Sequence, residues 1–326
     1  MTSSIEAGAS AARTEPAPPT AAIDPTARAE AAGAAVTAEA KSGRRDASFP
    51  LRVASAVLFL PLLVLAARVG GVVWLTFTLL VVGIALREFY QMMESKGLMP
   101  HWKSGTFAAL LLPIGSYLRL STGRTAEWNL GGLLTVLIGA ILLAELRRGA
   151  GKQAVANIAA TLLGVFYIGW LGSHIDLLRE LPRPWHLPYA LGASFALLPF
   201  FLAWVCDTAA YAVGLAFGRT KLMADVSPNK SVEGAVAGLV AAVGAAFLAR
   251  AWFAPYLTAV DAAVLGILVG VLGQLGDLVE SLLKRDSHTK DTSRLIPGHG
   301  GVLDRFDSVL FAAPVVAYYL ILRVLP

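Results

Sequence analysis

Long apolar segments separated by short polar loops are the feature that most restricts how this chain can fold. The apolar runs are about as long as the ~20 residues that an α-helix needs to cross a bilayer. Hydrophobic residues make up 56% of the 326 residues and charged residues only 15%, with a mean hydropathy of +0.65. Soluble domains carry roughly 25% charged residues. The pattern therefore predicts an all-α, polytopic membrane helix bundle and excludes a soluble nucleotide-binding module.

The apolar runs predict about nine transmembrane helices. Gly70 and Gly71 predict a tight turn between the first two. Pro199 predicts a kink in the sixth helix, or a short interfacial segment before it. The nine predicted ranges are 51–68, 71–87, 105–119, 130–146, 154–174, 189–217, 232–250, 259–279 and 308–325.

Residues 1–50 have a different composition from the rest of the chain. They contain 16 Ala and five Pro, and almost no large apolar side chains. Such a segment cannot bury enough surface to offset its ordering entropy. We therefore expect a disordered tail at 1–50 and a transmembrane domain at 51–326. A signal peptide is not expected, because the first apolar run begins too late.

The distribution of Lys and Arg predicts the orientation. Nine helices place 18 of the 27 Lys and Arg residues on the side of the tail, including Lys41, Arg44 and Arg45, and seven on the opposite side; Arg13 and Arg28, farther along the tail, complete the 27. Cytoplasmic loops of membrane proteins carry the excess of Lys and Arg. The tail is therefore predicted to be cytoplasmic and the C-terminus external. The same rule explains the net charge of +5 without a nucleic-acid partner.

The first of two polar regions on the predicted cytoplasmic side begins with Asp207, inside the sixth apolar run. A carboxylate near the bilayer centre costs about 2.5–3.5 kcal/mol, so such acids are usually paired, hydrated or bound to a cation. Tyr211, Gly214 and Gly218 follow on the same helical face. This face suits a groove; the alternative is a helix-packing stripe with a paired acid.

The second polar region begins in the eighth predicted helix. Asp277, Glu280, Ser281 and Lys284 share one helical face. The acids precede the base, which suggests a metal ion deep in the bundle and phosphates nearer the water. The alternative is an ordinary helix end whose cations reach toward water, and Glu280 alone does not decide between the two.

The loop that follows, from Lys290 to Gly301, combines cations with glycines, which free the backbone to direct N–H groups at an anion. Asp304 and Asp307, three residues apart, can converge on one ion; helix capping is the alternative for either. Oxygen ligands without a His pair, in a chain with the single cysteine Cys206, favour Mg²⁺ over zinc. A histidine between glycines has either a chemical role or only a hydrogen-bonding role in the loop.

Eleven residues occur at the spacing of a known signature: Ser281, Lys284, Arg285, Lys290, Asp291, His299, Gly300, Gly301, Asp304, Arg305 and Asp307. This set resembles the signature of the bacterial phosphatidate cytidylyltransferases, the CDP-diacylglycerol synthases. The block from Asp207 to Gly234 is similar to a second stretch of that family, although Asn229 stands where many members have a second lysine. The resemblance covers about residues 50–326 and leaves out the tail.

The resemblance implies a nucleotidyltransferase of phospholipid biosynthesis in the cell membrane. It would make CDP-diacylglycerol and pyrophosphate from CTP and phosphatidic acid, with Mg²⁺. The attacking lipid phosphate has a second pKa near ~6 and is largely ionised, so no strong general base is required. The chemical difficulty is to bring two polyanions together, which a divalent metal and fixed cations relieve.

The resemblance also implies where the site lies, within about residues 204–308. The implied metal ligands are Asp277, Asp304 and Asp307, with Asp207 as a further candidate and a second cation left open. The implied catalytic residues are Lys284, Arg285, Lys290, Asp291 and Arg305. The implied phosphate-binding residues are Lys230, Ser227, Gly298, His299, Gly300 and Gly301.

Two alternatives stay open at this point. The acceptor could be another lipid phosphate, such as an isoprenoid or an archaeal ether lipid, because its tails would touch only apolar helices. An ion-coupled transporter could use Asp207 and Asp277 as intramembrane ion sites, but it predicts related halves and the sequence shows no internal repeat. Small residues on the helices are compatible with a homodimer without identifying its interface.

Overall fold

The apolar runs fold as helices in the computed structural model, which describes residues 48–122, 127–149, 153–289, 292–293 and 300–325. Residues 1–47 of the predicted tail lie outside this set. The described helices are α1 (Ser48–Val69), α2 (Gly71–Ser95), α3 (Trp102–Thr122), α4 (Glu127–Arg148), α5 (Ala154–Glu180), α6 (Leu191–Phe217), α7 (Val232–Trp252), α8 (Ala259–Asp286) and α9 (Leu303–Val324). Two short antiparallel strands, β1 (Lys221–Met223) and β2 (Ser227–Ser231), connect α6 to α7.

Six helices of the described chain, α2 and α5 to α9, are long and apolar enough to cross a membrane. This finding supports an integral membrane helix bundle. Each of the nine predicted runs coincides with a described helix, but nine crossings are not confirmed, since α1, α3 and α4 are not among these six. Gly70 and Gly71 both have positive φ angles, of 66° and 55°, as the predicted tight turn requires.

Several helices extend beyond their apolar runs at the end where the polar regions meet. Helix α2 continues to Ser95 rather than residue 87, α8 continues to Asp286 rather than residue 279, and α9 begins at Leu303 rather than residue 308. These extensions contain polar side chains that are buried against one another, such as Glu88. Hydropathy alone therefore underestimates the helices here. The β1–β2 hairpin is an addition to the predicted all-α fold, in strands too short to carry a periodic pattern.

Close contact between α6 and α7 positions the hairpin between them. A side chain on Gly234 would lie 2.6 Å from the carbonyl oxygen of Ala210, and one on Gly238 would lie 3.0 Å from that of Cys206. Small residues let two helix backbones approach in this way. The Ser231 hydroxyl accepts the N–H of Gly234 at 3.1 Å and so caps the start of α7.

An aromatic cluster fixes the rotation of α9 about its axis. The ring of Phe306 is buried and lies 5.8 Å from the ring of Phe200, 6.3 Å from that of Phe59 and 6.3 Å from that of Phe77. These partners belong to α6, α1 and α2, respectively. With Phe306 directed into the core, the acids on either side of it, Asp304 and Asp307, face α8.

At the opposite end of the bundle, the buried side chain of Arg179 on α5 joins the end of α1 to the segment before α6. Its Nε donates to the carbonyl oxygen of Ala67 at 2.5 Å, and its other nitrogens donate to those of Arg68 and Tyr189, each at 3.3 Å. Its neighbour Glu180 accepts the Tyr189 hydroxyl at 2.7 Å. The ends of α1 and α5 and the segment before α6 are thereby held together.

We expect Gly234→Ala to lower stability because the added methyl group would collide with the backbone of α6. Overpacking of this kind costs about 1–3 kcal/mol. Thermal unfolding of the detergent-purified protein measures it. Gly244→Ala on the same helix is the matched control, since a side chain there meets nothing within 4 Å. Equal effects of the two substitutions would contradict the proposed close contact.

Candidate active site

Three carboxylates from two helices form the centre of the polar region. Asp277 and Glu280 of α8 and Asp307 of α9 each offer a carboxylate oxygen, and these oxygens lie within 4.8 Å of one another. We refer to Asp277, Glu280 and Asp307 as the carboxylate cluster. Glu280 is completely buried, and Asp307 is nearly so. Three negative groups this close repel one another strongly at low dielectric, so the cluster requires neighbouring cations.

One fixed cation is Lys284, one turn after Glu280. Its Nζ donates to Glu280 Oε2 at 2.5 Å and to Asp304 Oδ1 at 2.8 Å. Lys284 therefore links the carboxylate cluster to the first turn of α9. Its ammonium group is mostly shielded from solvent, where such pairs are stronger than at a surface.

A second fixed cation, Lys230, comes from strand β2. Its Nζ lies 2.7 Å from Asp277 Oδ2. The hairpin is held over α8 by Arg285, whose Nε donates to the Val226 carbonyl oxygen at 3.2 Å. Asp207 on α6 lies close enough to Asp277 and Lys230 to interact electrostatically with both. The two polar regions of the sequence therefore meet in one site.

Asp304 has its oxygens committed to neighbours within the chain. Besides Lys284, it accepts the N–H of Gly301 at 2.7 Å, and the N–H and hydroxyl of Thr292 at 3.1 Å and 2.8 Å. These contacts join the described residues on both sides of the glycine-containing loop. Asp304 thus organises the loop in this structure and is not one of the three residues of the carboxylate cluster.

Glu88 of α2 supports the same loop from the N-terminal half of the chain. It is only 3% exposed. Its carboxylate accepts the N–H of Val302 at 3.0 Å, that of Leu303 at 2.8 Å and the hydroxyl of Ser293 at 2.5 Å. An acid that accepts the first free N–H groups of a helix stabilises that helix end. Glu88 therefore fixes where α9 begins.

The glycines before α9 allow this crowding. Gly300 has a φ of +78°, in the region that favours glycine. A side chain on Gly301 would lie 2.5 Å from Glu88 Oε2. The predicted contact between the Gly301 N–H and a substrate phosphate requires that Asp304 release that group.

The structure brings together most of the described residues predicted for the site. Asp207, Lys230, Asp277, Lys284, Asp304 and Asp307 form one connected group. Arg285 and Arg305 are exposed, and Ser227 is part of the hairpin. The predicted residues Lys290, Asp291, Gly298 and His299 lie outside the described set.

Two acids had a larger part in the site than the sequence indicated. The sequence does not decide between a site role and an ordinary helix end for Glu280, whereas the structure places it inside the carboxylate cluster. Glu88 was not predicted, because it follows directly after an apolar run, where an interfacial acid is unremarkable. The only local signal is its position immediately after Arg87, beyond the predicted end of the second helix.

The donor set of the carboxylate cluster suits a hard divalent cation. All of its ligand atoms are carboxylate oxygens, which Mg²⁺ prefers over nitrogen or sulfur. In addition, Glu280 Oε1 is buried and has no hydrogen-bond partner among the described residues. A buried charged oxygen without a partner is unfavourable unless a cation or water satisfies it.

Comparison with known proteins identifies the family. The model of the cytidylyltransferase family matches residues 50–323 of this chain. The chain belongs to the cytidylyltransferase family. The match contains both polar regions and all of α2 to α8, so the family assignment covers the whole site described above.

Three relatives of this chain are each named phosphatidate cytidylyltransferase. The one from Synechocystis sp. is 35% identical over 83% of this chain and 96% of its own length. The one from Staphylococcus saprophyticus is 30% identical over 81% of this chain and 95% of its own length. The one from Bacillus subtilis is 29% identical over 83% and 95%, respectively.

We expect Glu88→Gln to destabilise the protein and to lower its activity. The amide would direct its NH₂ group at backbone N–H donors that now bind a carboxylate. Loss of hydrogen bonds to a charged group costs about 1.5–3 kcal/mol. Thermal unfolding and the pyrophosphate-release assay described below measure the two effects.

Glu94→Gln is the matched control on the same helix. Glu94 is partly exposed and lies 3.5 Å from Arg87, an ion pair of a kind worth at most about 1 kcal/mol. If Glu88→Gln behaved like Glu94→Gln in both measurements, the loop-anchoring role of Glu88 would be wrong.

Proposed function

We propose that this protein is a CTP:phosphatidate cytidylyltransferase, which makes CDP-diacylglycerol and pyrophosphate from CTP and phosphatidic acid for phospholipid biosynthesis. The observation that carries the proposal is the carboxylate cluster with Lys230 and Lys284 beside it, in a chain of the cytidylyltransferase family. The names of the relatives indicate phosphatidate as the acceptor rather than another lipid phosphate.

In this reaction, a phosphate oxygen of phosphatidic acid attacks the α-phosphorus of CTP. The bond from that phosphorus to the oxygen that bridges to the β-phosphate breaks, and pyrophosphate leaves with the electron pair. The attacking phosphate is largely ionised already, so the residues need not remove a proton. Their task is to hold two polyanions together in line.

The fixed cations of the site suit that task. Lys230 and Lys284 lie beside the carboxylate cluster, and Arg285 and Arg305 are exposed. We assign phosphate contacts to these four residues and to Lys290, with Asp291, Ser227 and the Gly298–Gly301 turn as supporting residues. Guanidinium groups bind phosphate oxygens in pairs, whereas lysines act as point charges.

Asp277, Glu280 and Asp307 would hold Mg²⁺, with Asp207 available as a further ligand and Asp304 as a ligand only after it releases its loop contacts. A bound Mg²⁺ neutralises phosphate charge and stabilises the departing pyrophosphate. The cluster also orients Lys230 and Lys284 through direct ion pairs. A second cation remains compatible with the number of acids in the site.

The location of the site suits its substrates. It lies where the polar ends of α2, α8 and α9 meet the hairpin, so CTP can arrive from water while the acyl chains stay in the bilayer. We infer nine crossings, a cytoplasmic tail and site, and an external C-terminus from the basic-residue asymmetry. The division into a tail at 1–50 and a catalytic domain at 51–326, and a homodimeric assembly, belong to the same proposal.

We expect pyrophosphate release from CTP only when phosphatidic acid is present, and its loss by a factor of at least ~100 in Asp277→Asn and Asp307→Asn. Metal-free thermal stability should not fall in Asp307→Asn, because the substitution removes repulsion within the carboxylate cluster. Asp304→Asn should lose both activity and stability, since Asp304 holds Lys284 and the loop.

Asp286→Asn is the control for this series. Asp286 is an exposed acid at the end of α8 that pairs with Lys96, and we expect wild-type activity. Release with isoprenoid phosphates but not with phosphatidic acid would contradict the proposed acceptor. Full activity in Asp277→Asn would contradict the proposed site.

Chelation provides a separate check of the cofactor. We expect excess EDTA to abolish pyrophosphate release and added Mg²⁺ to restore it, because the carboxylate cluster offers only oxygen ligands. Restoration by Zn²⁺ but not by Mg²⁺ would overturn the assignment of the metal.

A further inference from the structure

A buried tyrosine, Tyr167, lies within electrostatic range of the carboxylate cluster and has no role in the proposed reaction. Tyr167 lies on α5, in a stretch from Val165 to Trp170 where the helix widens into a π-helical turn. Turns of this kind are rare in proteins. Where they occur, they often lie at functional sites. Tyr167 is 6% exposed.

Packing rather than hydrogen bonding holds the ring in place. Its centroid lies 6.4 Å from that of Phe89 on α2 and 6.3 Å from that of Phe311 on α9, both in edge-to-face contacts. Phe311 in turn packs onto Gly276, where a side chain would lie 2.8 Å from its ring. Residues of α2, α8 and α9 therefore fix the direction of the phenol.

The hydroxyl of Tyr167 lies close enough to Glu280, Asp307 and Asp277 to interact electrostatically with all three carboxylates. Yet it has no hydrogen-bond partner within the described residues. The same is true of Glu280 Oε1. Two buried polar atoms without partners beside one group of carboxylates indicate a place where a bound group supplies the partners.

Two other tyrosines, the buried Tyr90 and the half-buried Tyr256, behave differently. The Tyr90 hydroxyl donates to the Thr161 carbonyl oxygen at 2.9 Å, and the Ser194 hydroxyl donates to the Tyr256 hydroxyl at 3.0 Å. The hydroxyl groups of these two tyrosines therefore have hydrogen-bond partners within the protein. Tyr167 differs because its hydroxyl has no such partner among the described residues.

We propose that the Tyr167 hydroxyl donates a hydrogen bond to a water molecule bound to the divalent cation of the carboxylate cluster, and so acts as a positioning residue for that cation. Water is the favoured acceptor because Mg²⁺ usually keeps several of its waters. Partners of metal-bound groups commonly contribute to affinity and orientation. This inference rests on the metal site of the proposed function.

The test is Mn²⁺ binding by the full-length, detergent-purified protein, followed by electron paramagnetic resonance, with Tyr167→Phe beside the wild type. The substitution removes only the hydroxyl and leaves the ring contacts. We expect about 10-fold weaker Mn²⁺ binding, the lower end of the effect of such partners. Asp277→Asn provides the reference for a lost ligand.

Tyr90→Phe is the matched control, and thermal unfolding in EDTA is the second readout. Tyr90→Phe should unfold at a lower temperature, because it removes a buried hydrogen bond to the Thr161 carbonyl oxygen, and should bind Mn²⁺ normally. Tyr167→Phe should unfold without metal at or above the wild-type temperature, because its hydroxyl has no partner there to lose. If the Tyr167 hydroxyl had only a structural role, Tyr167→Phe would lower the unfolding temperature in EDTA and leave Mn²⁺ binding unchanged.

The outcomes separate this inference from the metal site itself. If the wild type binds Mn²⁺, Asp277→Asn does not, and Tyr167→Phe binds as tightly as the wild type, the role of Tyr167 is overturned while the metal site stands. A normal Mn²⁺ affinity with a raised KM for CTP would also overturn it, in favour of a direct phosphate contact. If the wild type binds no Mn²⁺, both proposals fail.

Discussion

Repulsion among Asp277, Glu280 and Asp307 is the constraint around which the C-terminal half of the bundle is built. Their oxygens lie within 4.8 Å of one another in a largely apolar protein. Such an arrangement persists only if packing elsewhere holds the helices and cations compensate the charge. The glycine contacts of α6 with α7 and the aromatic contacts of Phe306 hold the helices in place. Lys230 and Lys284 compensate part of the negative charge.

The site depends on the N-terminal half as well, although its charged motifs all come from the C-terminal half. Glu88 on α2 accepts the first N–H groups of α9, and Tyr167 on α5 lies within electrostatic range of the carboxylate cluster. Both residues lie in helices that the sequence presents as apolar spans. These helices therefore determine where the charged residues stand as well as how the protein is held in the membrane.

The helices and the main acids could be predicted because each has a strong physical signal. A bilayer requires long apolar runs, and helical periodicity places Asp277, Glu280 and Lys284 on one face. The positions of Asp304 and Glu88 could not be predicted, since the sequence does not say which N–H groups an acid will accept from a distant loop. The local pattern does not show that Glu88 is buried against the loop while Glu94 pairs at the surface, or that Tyr167, unlike Tyr90, has no hydrogen-bond partner among the described residues. The difference arises only when α2, α5, α8 and α9 pack together.

The contacts of Arg179 have a consequence for how the chain assembles during synthesis. The carbonyl groups of Ala67 and Arg68 at the end of α1 receive their donors from a residue more than a hundred positions later. Backbone groups without partners are unfavourable where water is scarce. The turn between α1 and α2 is therefore complete only once α5 has packed against it. A chain that ended before α5 would leave these two carbonyl groups without the donors that Arg179 provides.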